Sequence, residues 1–528
     1  MTMPIVRDLT APLFNRLLKT GMAMVAHRFS ARDPYAAQRE IFAQLLAQGS
    51  ATRFGKDHGL PELAGRPFAE AYQGYRQRVP IRTYGDFWND YFAAACREEE
   101  GSRRLLLENV TWPGKIPFFC ETSGTTAPSK YIPFSREMFA ANRLAALDLT
   151  AMYIHANRQS RLFQGKLLYM AGNTDLTDMG NGVKSGDMSA ITLRHRPPYL
   201  KPFIAPDPAT AALPWEEKLE SLARLLLADR SIRGISGVPP WIILLLKRCR
   251  ELGGRPLSEL LPGLELIIHG GTSIKPYRRE FVELFPQHAP HFLELLPSSE
   301  AFMAFQLLGE EQMRLTPYYG VFFEFVPCDE LDERGVPAAD AAAVPLEGIE
   351  TGRRYAVILT TCAGLWRYHI GDTIRFTAHA PLFMEFTGRD KFLDRFEEKV
   401  TQGEVEEAVA RLNGVPGIDI REFMVGPQIG ERRHIWVLAV GKESRTAGID
   451  LAKRLDAALI SMNADYATFR SQERINRPVV LTVGEEYIYS WSKEARGKLG
   501  GQSKIPHIDP TMGGDLVKDL VEYGGTPS

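Results

Sequence analysis

The order of helix and strand patterns is the feature that most limits what this chain of 528 residues can fold into. Helical patterns cover residues 33–48 and 136–157, and strand patterns lie at 116–120, 166–170 and 264–269. Helices that alternate with strands are typical of an α/β protein, in which helices cover a mainly parallel sheet. The N-terminal part of the chain therefore predicts an α/β fold.

Residues 321–386 have a different pattern, in which the segments FFEFV, YAVILTT, TIRF and LFMEF are separated by Gly, Pro and Asp turns. This pattern predicts a β-barrel or an antiparallel sheet. We therefore expect the α/β domain to contain a β-barrel-like part.

A small α+β unit follows, with the strand patterns FMVGPQ, HIWVLAVG and VVLTVG and a helical pattern over residues 451–471. A second helix begins with the capping-box sequence that runs from Thr401 to Glu404, and Asn413 and Gly414 mark its end. We predict a large N-terminal domain over residues 1–387 and a small C-terminal domain over residues 388–528.

Charge and cysteine content exclude several classes of protein. The formal net charge is −1, which favours neither nucleic acid nor an anionic membrane as a partner. The five cysteines lie far apart, without the short spacings of zinc sites or disulfide frameworks, and this fits a reducing cytoplasm. No apolar run approaches the roughly 20 residues that span a bilayer, and the first 30 residues predict an amphipathic helix without the pattern of a secretion signal.

The segment ETSGTTAPSKYIPFS, residues 121–135, contains a run of hydroxyl and glycine residues between two strand patterns. Backbone N–H groups and hydroxyls in such a loop can converge on an anion, and glycine lets a phosphate approach closely. Ser123, Gly124, Thr125 and Thr126 are therefore candidate phosphate ligands, and Lys130 adds a positive charge. Whether Lys130 contacts phosphate or solvent stays open at this point.

This loop has two other interpretations. A P-loop of the kinase type needs a glycine where Ser129 stands, a hydroxyl where Tyr131 stands, and a helix directly after the lysine, so that assignment fails. A hairpin turn without a ligand remains open, since Ser, Thr and Gly are ordinary turn residues.

Three further segments carry candidate ligand-binding residues. A strand pattern ends in Gly270 and Gly271 followed by Thr272, and a glycine pair lets the backbone lie against a purine ring. A turn without a ligand is the alternative, and it is favoured when this piece is taken alone. In the segment of residues 296–300, Ser299 and Glu300 could contact phosphate and Mg²⁺. The alternative for that segment, which is favoured when it is taken alone, is a cap at the start of a helix AFMAFQLL.

The segment GLWRYHIGD, residues 364–372, is the most distinctive in the chain. Asp372 follows a glycine at the expected start of a strand, where its carboxylate could accept hydrogen bonds from both ribose hydroxyls. Arg367 could contact phosphate. A surface turn is the alternative, but adjacent Trp, Arg, Tyr and His are unusual in a simple turn.

The motifs of residues 122–126, 297–300 and 366–372, in this order, resemble the nucleotide signatures of the auxin-responsive (Gretchen Hagen) acyl acid amido synthetases. That family belongs to the adenylate-forming superfamily, with the firefly luciferases and acyl-CoA ligases. The resemblance covers residues 82–506. It implies an enzyme that uses ATP and Mg²⁺ to convert a carboxylic acid into an acyl-adenylate, releases pyrophosphate, and transfers the acyl group to an amino acid.

The resemblance also implies roles for individual residues. Residues 123–126 would bind the phosphates of ATP, Gly271 and Thr272 would lie near adenine, and Asp372 would bind ribose. Glu300 would be catalytic, through phosphate or Mg²⁺. Lys504, in GGQSKIPHI, matches the family's lysine that reaches the α-phosphate from a mobile C-terminal domain, and Lys498 is its competitor.

By the same analogy the helix over residues 138–153 lines the acyl pocket, with Leu147 and Leu149 among its apolar residues. This composition favours an apolar or aromatic acid. Two motifs depart from the plant pattern, which leaves the shape of the pocket open: Ala-Pro-Ser-Lys follows the first signature, and Leu-Pro precedes Ser298. A thiol acceptor such as coenzyme A and a non-catalytic nucleotide-binding protein are the alternatives. The sequence does not set the acid, the amine or the oligomeric state.

Overall fold

The computed structural model describes most of the chain. The described residues are 5–99, 102–122, 130–172, 174–332, 335–389, 392–393, 395–396, 398, 400–446, 448–496, 505–509, 511 and 513–523. The side chains of residues 5–17, 98–99, 102–103, 389, 392 and 495–496 are outside this description.

The α-helices are, in chain order, α1 (Ile5–Ser30), α2 (Pro34–Gly49), α3 (Arg53–Asp57), α4 (Phe68–Arg78), α5 (Tyr84–Phe87), α6 (Arg136–Ala156), α7 (Met188–Arg194), α8 (Pro208–Ala212), α9 (Trp215–Ala228), α10 (Pro239–Gly253), α11 (Leu257–Leu260), α12 (Arg278–Leu284), α13 (Gln402–Asn413), α14 (Leu451–Met462), α15 (Ala464–Ser471), α16 (Tyr487–Arg496) and α17 (Asp515–Glu522). None of these described helices combines the length and the apolar character that crossing a membrane requires.

The β-strands are β1 (Cys96–Glu99), β2 (Ser102–Leu105), β3 (Phe118–Thr122), β4 (Lys130–Phe134), β5 (Lys166–Tyr169), β6 (Thr177–Asp178), β7 (Lys184–Gly186), β8 (Ile204–Ala205), β9 (Ile232–Gly237), β10 (Leu266–Gly270), β11 (His291–Pro297), β12 (Phe302–Gln306), β13 (Met313–Leu315), β14 (Val321–Pro327), β15 (Val344–Pro345), β16 (Arg354–Thr361), β17 (Tyr368–Phe376), β18 (Phe383–Arg389), β19 (Phe392–Leu393), β20 (Val400–Thr401), β21 (Ile420–Gln428), β22 (Arg433–Val440) and β23 (Val479–Gly484).

A twelve-stranded sheet forms the centre of the N-terminal domain, in the order β15-β14-β16-β17-β18-β13-β12-β11-β10-β9-β5-β8. The five strands from β11 to β8 are parallel. The strands from β15 to β12 pair antiparallel, and β12 joins this half to β11. The β-rich region predicted from the sequence is therefore the antiparallel half of the same sheet that carries the α/β part.

The parallel half has helices on both faces because its strands are apolar on both faces. Ile267 of β10 packs into a core with α9, α10 and α12. Its neighbours Leu266 and Ile268 point the other way, into a core with α6 and Phe29 of α1. This alternation of side chains is what a strand buried on both sides requires.

A smaller sheet, in the order β4-β3-β7-β6, carries the Ser/Thr/Gly segment. β3 and β4 are antiparallel neighbours, with Thr122 opposite Lys130, so residues 123–129 connect two paired strands. α6 begins directly after β4, where the Ser135 hydroxyl accepts a hydrogen bond from the backbone N–H of Met138. The two predicted strands that flank residues 123–129 and the helix after Ser135 are confirmed.

One buried side chain of helix α2, Gln38, forms hydrogen bonds with a segment that is distant in sequence. The Gln38 amide donates to the carbonyls of Pro317 and Val321, and its oxygen accepts from the N–H of Phe323. All three bonds cross about 280 residues of sequence. The start of β14 therefore supplies the partners that this glutamine needs in the interior.

The C-terminal domain contains the three-stranded sheet β21-β22-β23. The capping box predicted from Thr401 to Glu404 is present at the start of α13, and that helix ends at Asn413. The single helix predicted over 451–471 is wrong, because Asn463 leaves the helical conformation and accepts a hydrogen bond from Tyr466 N–H to start α15. The predicted boundary between residues 387 and 388 stays a prediction.

Candidate functional site

The parallel strands bring several predicted residues to one edge of the large sheet. β9, β10 and β11 all end at this edge, and His269 lies opposite Gly237 while Gly270 lies opposite Leu295. In open α/β sheets, ligands bind at the carboxyl ends of the strands. Gly271, Thr272 and residues 298–300 directly follow these strand ends, so the structure places them at the expected edge.

The glycine pair after β10 is explained by its backbone. A Cβ on Gly270 would lie 2.6 Å from the carbonyl oxygen of Leu295, too close for any other residue. Gly271 has a φ of +87°, in the region that favours glycine. The sharp turn that follows directs the next residues over the sheet edge.

Thr272 lies in a cavity between the N-terminal and C-terminal domains. Its hydroxyl oxygen is buried and has no hydrogen-bond partner among the residues that the structure describes. Residues of both domains line this cavity: Val238, Pro240, Trp241, Thr272, Tyr277, Glu422, Tyr489, Ile505 and His507. A buried hydroxyl without a partner is costly, so it fits a position that awaits a polar ligand.

Residues 298–301 form a tight turn between two antiparallel strands. Ser298 N–H donates to the Ala301 carbonyl, and the Ser298 hydroxyl accepts from the N–H groups of Glu300 and Ala301. The alternative of a helix cap is wrong, because residues 302–306 pair as β12 with β11 and β13. Ser299 lies half-buried in this turn.

Glu300 is a buried carboxylate at the tip of the turn. The hydroxyl of Tyr368 donates to it over 3.4 Å. Burial raises the pKa of the Cys120 thiol, and the nearby carboxylates of Asp187 and Glu300 raise it further, which places Glu300 close to the buried strand β3. The structure therefore brings Glu300 near the strand that leads into residues 123–129.

Asp372 is buried on β17, the strand that also carries Tyr368. It follows Gly371, whose φ is +87°, and its backbone lies opposite Arg389 of β18. The sequence pattern predicted Asp372 at the start of a strand. It lies instead in the middle of β17. Tyr368 thus links the strand of Asp372 to the turn of Glu300.

The expectation that Arg367 contacts phosphate is wrong. Its side chain is 1% exposed and pairs with Glu324, which is 0% exposed, over 3.2 Å. The guanidinium also donates to the carbonyl of Val79. Arg367 has a φ of +44°, a left-handed backbone conformation that is uncommon outside glycine. Arg367 therefore forms a buried structural ion pair with Glu324.

The predicted phosphate ligands Ser123, Gly124, Thr125 and Thr126 lie outside the described residues, and so do Lys498 and Lys504. Lys130, at the end of the loop, is half-buried, with its ammonium 5.8 Å from the centre of the Tyr84 ring. Burial lowers the pKa of His369 to about 4, with a further contribution from the charge of Lys130. Lys130 therefore lies within electrostatic reach of the GLWRYHIGD segment.

The two predicted pocket leucines do not share a surface. Leu149 is 4% exposed and packs into the core between α6 and the sheet, whereas Leu147 is 38% exposed. Side chains two positions apart on a helix point in directions about 200° apart around its axis. The expectation that both line one acyl pocket is therefore wrong.

Sequence reasoning missed a group of buried polar residues at the junction of the domains. Tyr277, the residue directly before α12, donates its hydroxyl to Glu422 of β21 over 3.1 Å. His507 lies between Glu422 at 3.2 Å and Glu406 at 2.8 Å. These residues are far apart in sequence and carry no shared motif, so only their position after folding identifies the group.

The residues present are compatible with a Mg²⁺ ion bound together with ATP. The described part of the chain contains no cluster of three or more His, Cys, Asp or Glu side chains that would hold a metal alone. Mg²⁺ usually needs only one or two carboxylates, since phosphates and waters complete its six ligands. Glu300 is a single buried carboxylate of this kind.

Models of three consecutive domains of one family match the chain in order. The GH3 family N-terminal domain matches residues 27–238, the GH3 family central domain matches 315–389, and the GH3 family C-terminal domain matches 401–510. The chain belongs to the GH3 family. The resemblance drawn from the nucleotide motifs is thereby confirmed for this GH3 protein.

Several curated proteins are similar to this GH3 protein. Indole-3-acetic acid-amido synthetase GH3.8 of Oryza sativa subsp. indica is 31% identical over 143 residues, which are 25% of this chain and 23% of the relative. Indole-3-acetic acid-amido synthetase GH3.4 of Arabidopsis thaliana is 28% identical over 35% of this chain and 33% of the relative. A probable indole-3-acetic acid-amido synthetase GH3.2 of Oryza sativa subsp. japonica is 29% identical over 72% of this chain and 70% of the relative. The chain thus matches less than two thirds of the first relatives' length.

Solved structures establish the fold of this GH3 protein. The acyl acid amido synthetase AtGH3.15 in complex with 2,4-DB superposes with a TM-score of 0.72 at 16% identity, over 95% of both chains. A 2-hydroxyisobutyryl-CoA ligase in the postadenylation state superposes with a TM-score of 0.52 at 14% identity, over 92% of this chain and 91% of the other. The predicted α/β fold, with a large N-terminal and a smaller C-terminal domain, is confirmed.

Proposed function

We propose that this GH3 protein is an ATP-dependent ligase that joins a carboxylic acid to the amine of an amino acid. The acid's carboxylate attacks the α-phosphorus of ATP, and the bond to pyrophosphate breaks, which leaves an acyl-adenylate. The amine then attacks the acyl carbon and loses a proton, and AMP leaves with the electrons of the broken acyl–oxygen bond.

One observation carries the proposal most directly. Glu300 and Tyr368 are in contact, Asp372 lies on the strand of Tyr368, and Thr272 follows a strand that ends at the same sheet edge as the Glu300 turn. These residues come from three separate segments of the chain. Their convergence, in a member of the GH3 family, supports a single site for a nucleotide and its phosphates.

Each residue would have a distinct task in that site. Asp372 would accept hydrogen bonds from the ribose hydroxyls, and Gly271 and Thr272 would lie against adenine. Ser123, Gly124, Thr125, Thr126 and Ser299 would bind the phosphates, and Glu300 would hold Mg²⁺. A bound Mg²⁺ neutralises phosphate charge.

Lys504 would present a positive charge to the α-phosphate. Negative charge grows on that phosphate as the carboxylate attacks, so a cation there stabilises the transition state more than the bound substrates. The flanking glycines at 497, 500 and 501 permit a flexible presentation of this lysine.

The relatives guide the choice of substrates. Those quoted above are named for indole-3-acetic acid, and one solved structure holds 2,4-DB. We propose that this chain also acts on an aromatic or apolar acid and on an amino acid, with both substrates small molecules.

A pyrophosphate exchange assay tests this function. Purified protein, ATP, Mg²⁺ and labelled pyrophosphate are incubated with a panel of aromatic, indole and aliphatic acids, and we expect label to enter ATP only with particular acids. Mixed amino acids are then added, and mass spectrometry identifies the amide. A thioester formed with coenzyme A instead would assign a thiol acceptor, and absence of exchange with every acid despite stabilisation by ATP would indicate a non-catalytic nucleotide-binding protein.

A further inference from the structure

Several ion pairs cross the interface between the two domains among the described residues. Arg421 of β21 pairs with Glu280 of α12 over 2.7 Å, and Lys275 pairs with Glu407 of α13 over 3.0 Å. Lys247 of α10 bridges Glu280 and Glu485. An aromatic contact crosses it as well, with 6.0 Å between the ring centroids of Trp241 and Tyr489. Relative motion of two domains is the ordinary expectation unless their interface is large and hydrophobic.

At the centre of this interface is the clasp, which we define as Tyr277, Glu422, His507 and Glu406. All four side chains are buried. Tyr277 belongs to the N-terminal domain and follows the Thr272 turn by five positions, whereas the other three belong to the C-terminal domain. The Tyr277 hydroxyl contacts Glu422 and also lies 3.3 Å from Nε2 of His507, so it links the Thr272 side of the cavity to these two residues, and His507 in turn contacts Glu406.

The geometry of the clasp is that of a cation held between two carboxylates. His507 Nδ1 lies 2.8 Å from Glu406 and Nε2 lies 3.2 Å from Glu422, so both ring nitrogens act as donors when the ring is protonated. The ring also stacks on Phe423, with 4.1 Å between centroids. Burial lowers the pKa of His507, but the hydrogen bonds to Glu406 and Glu422 outweigh it and raise that pKa to about 9.

The segment that carries His507 is itself fixed to the C-terminal sheet. The N–H of Val425 donates to the His507 carbonyl, and the N–H of Asp509 donates to the Val425 carbonyl, each over 2.8 Å. His507 and Ile505 line the same cavity as Thr272. A change at the clasp would therefore alter how the C-terminal sheet sits against the nucleotide edge.

We propose that the clasp positions the C-terminal domain for the acid-activation step, with His507 and Tyr277 as positioning residues. This inference rests on the proposed function. Neither residue touches the reacting atoms, and each acts through the placement of the C-terminal domain beside Thr272. Breaking the clasp should therefore slow adenylation without weakening ATP binding, and it should not slow the later transfer to the amine.

The test compares Tyr277→Phe and Glu406→Gln with the matched control Glu407→Gln. Glu407 neighbours Glu406 on α13, and its pair with Lys275 crosses the same interface, but the two side chains are 57% (Lys275) and 32% (Glu407) exposed, so loss of this pair should matter little. Loss of one hydrogen bond to a charged group should lower kcat for pyrophosphate exchange about tenfold to a hundredfold. We expect KM for ATP, and the rate of amide formation from a supplied acyl-adenylate, to stay within about twofold, which is within ordinary assay scatter for an unaltered contact.

Hydrogen–deuterium exchange gives a readout that needs no substrate. In both clasp variants we expect faster exchange in peptides that cover residues 275–284 and 420–428, with no change in Glu407→Gln. Unchanged exchange in these peptides, a rise in KM in place of the fall in kcat, or equal effects in Glu407→Gln would overturn the proposal. If the wild type activates no acid at all, the proposed function fails, and deuterium exchange alone decides whether the clasp holds the domains. Tyr277→Phe removes a single oxygen atom and keeps the test available should Glu406→Gln not fold.

Discussion

Asp372 is the residue on which nucleotide binding is most directly tested. Replacing it by Asn removes the charge but keeps the shape, so ATP should bind about tenfold to a hundredfold more weakly if the carboxylate accepts from ribose. Calorimetric titration with a non-hydrolysable ATP analogue measures this. Asp340→Asn, at an exposed position, is the control and should bind as the wild type does. Equal affinity in the two variants would remove Asp372 from the ribose site.

The two lysines near residue 500 separate binding from chemistry. Lys504→Ala should leave ATP affinity unchanged and lower the rate of adenylation about a hundredfold to a thousandfold, as loss of one transition-state contact commonly does. Single-turnover formation of acyl-adenylate measures the step, and Lys498→Ala is the matched control. If the large loss occurs in Lys498→Ala instead, the roles of the two lysines are exchanged.

At the level of elements, the Arg367–Glu324 pair joins the residue directly before β17 to β14. Replacing Arg367 by Met leaves a buried carboxylate without its cation, which should lower the free energy of unfolding by about 3–5 kcal/mol. The double variant Arg367→Met/Glu324→Leu should recover much of that loss, and Tyr72 would retain its hydrogen bond to the Ala343 carbonyl. Denaturant unfolding measures both. Weaker ATP binding at unchanged stability would restore the phosphate role that burial excludes.

Elements whose boundaries are set by local chemistry could be predicted from the sequence. The helix after Ser135 and the capping box from Thr401 to Glu404 each have their signal within a few residues. The segment AFMAFQLL could not be assigned in this way, because its pairing with β11 and β13 outweighs the helix cap that Ser298 suggests. Arg367 failed for a related reason, since its partner Glu324 lies 43 positions away.

At the scale of the whole molecule, the clasp predicts how the stability of the domain junction depends on pH. The pKa of His507 is raised from 6.5 to about 9 in the folded protein. Its stabilising contribution is therefore fully present below pH 6.5 and is lost as the pH rises through about 9. The difference in unfolding free energy between the wild type and His507→Gln should shrink over that range, whereas His379→Gln, at an exposed site, should show no such trend.

Other charged and titratable groups near the clasp are common to both proteins in that comparison, so their effects largely cancel. They are Glu406, Glu422, Tyr277, Tyr489, Glu294, Lys275 and Arg278. Burial, followed by the charge of Glu406, raises the pKa of Glu294 to about 7. A difference that stays constant from pH 6.5 to 9.5 would show that His507 carries no charge in the clasp.

The contacts between the two domains could not be predicted from the sequence. Motifs at residues 122–126, 297–300 and 366–372 indicated the nucleotide site because each is local, and their order alone predicted the family. The contact between Tyr277 and Glu422 joins residues 145 positions apart and depends on how two separate cores meet. The prediction that Leu147 lines an acyl pocket failed similarly, because its exposure depends on what packs against α6.

The hydrogen bonds of Gln38 have a consequence for folding during synthesis on the ribosome. Its three partners lie at residues 317–323, so during synthesis α2 is complete long before those residues leave the ribosome. For that interval the Gln38 amide lacks its native partners, although Phe42 of α2 can already pack against Phe68, Tyr72 and Tyr75. The Gln38 amide therefore stays bonded to water, or to a chaperone, while most of the N-terminal domain is still being synthesised.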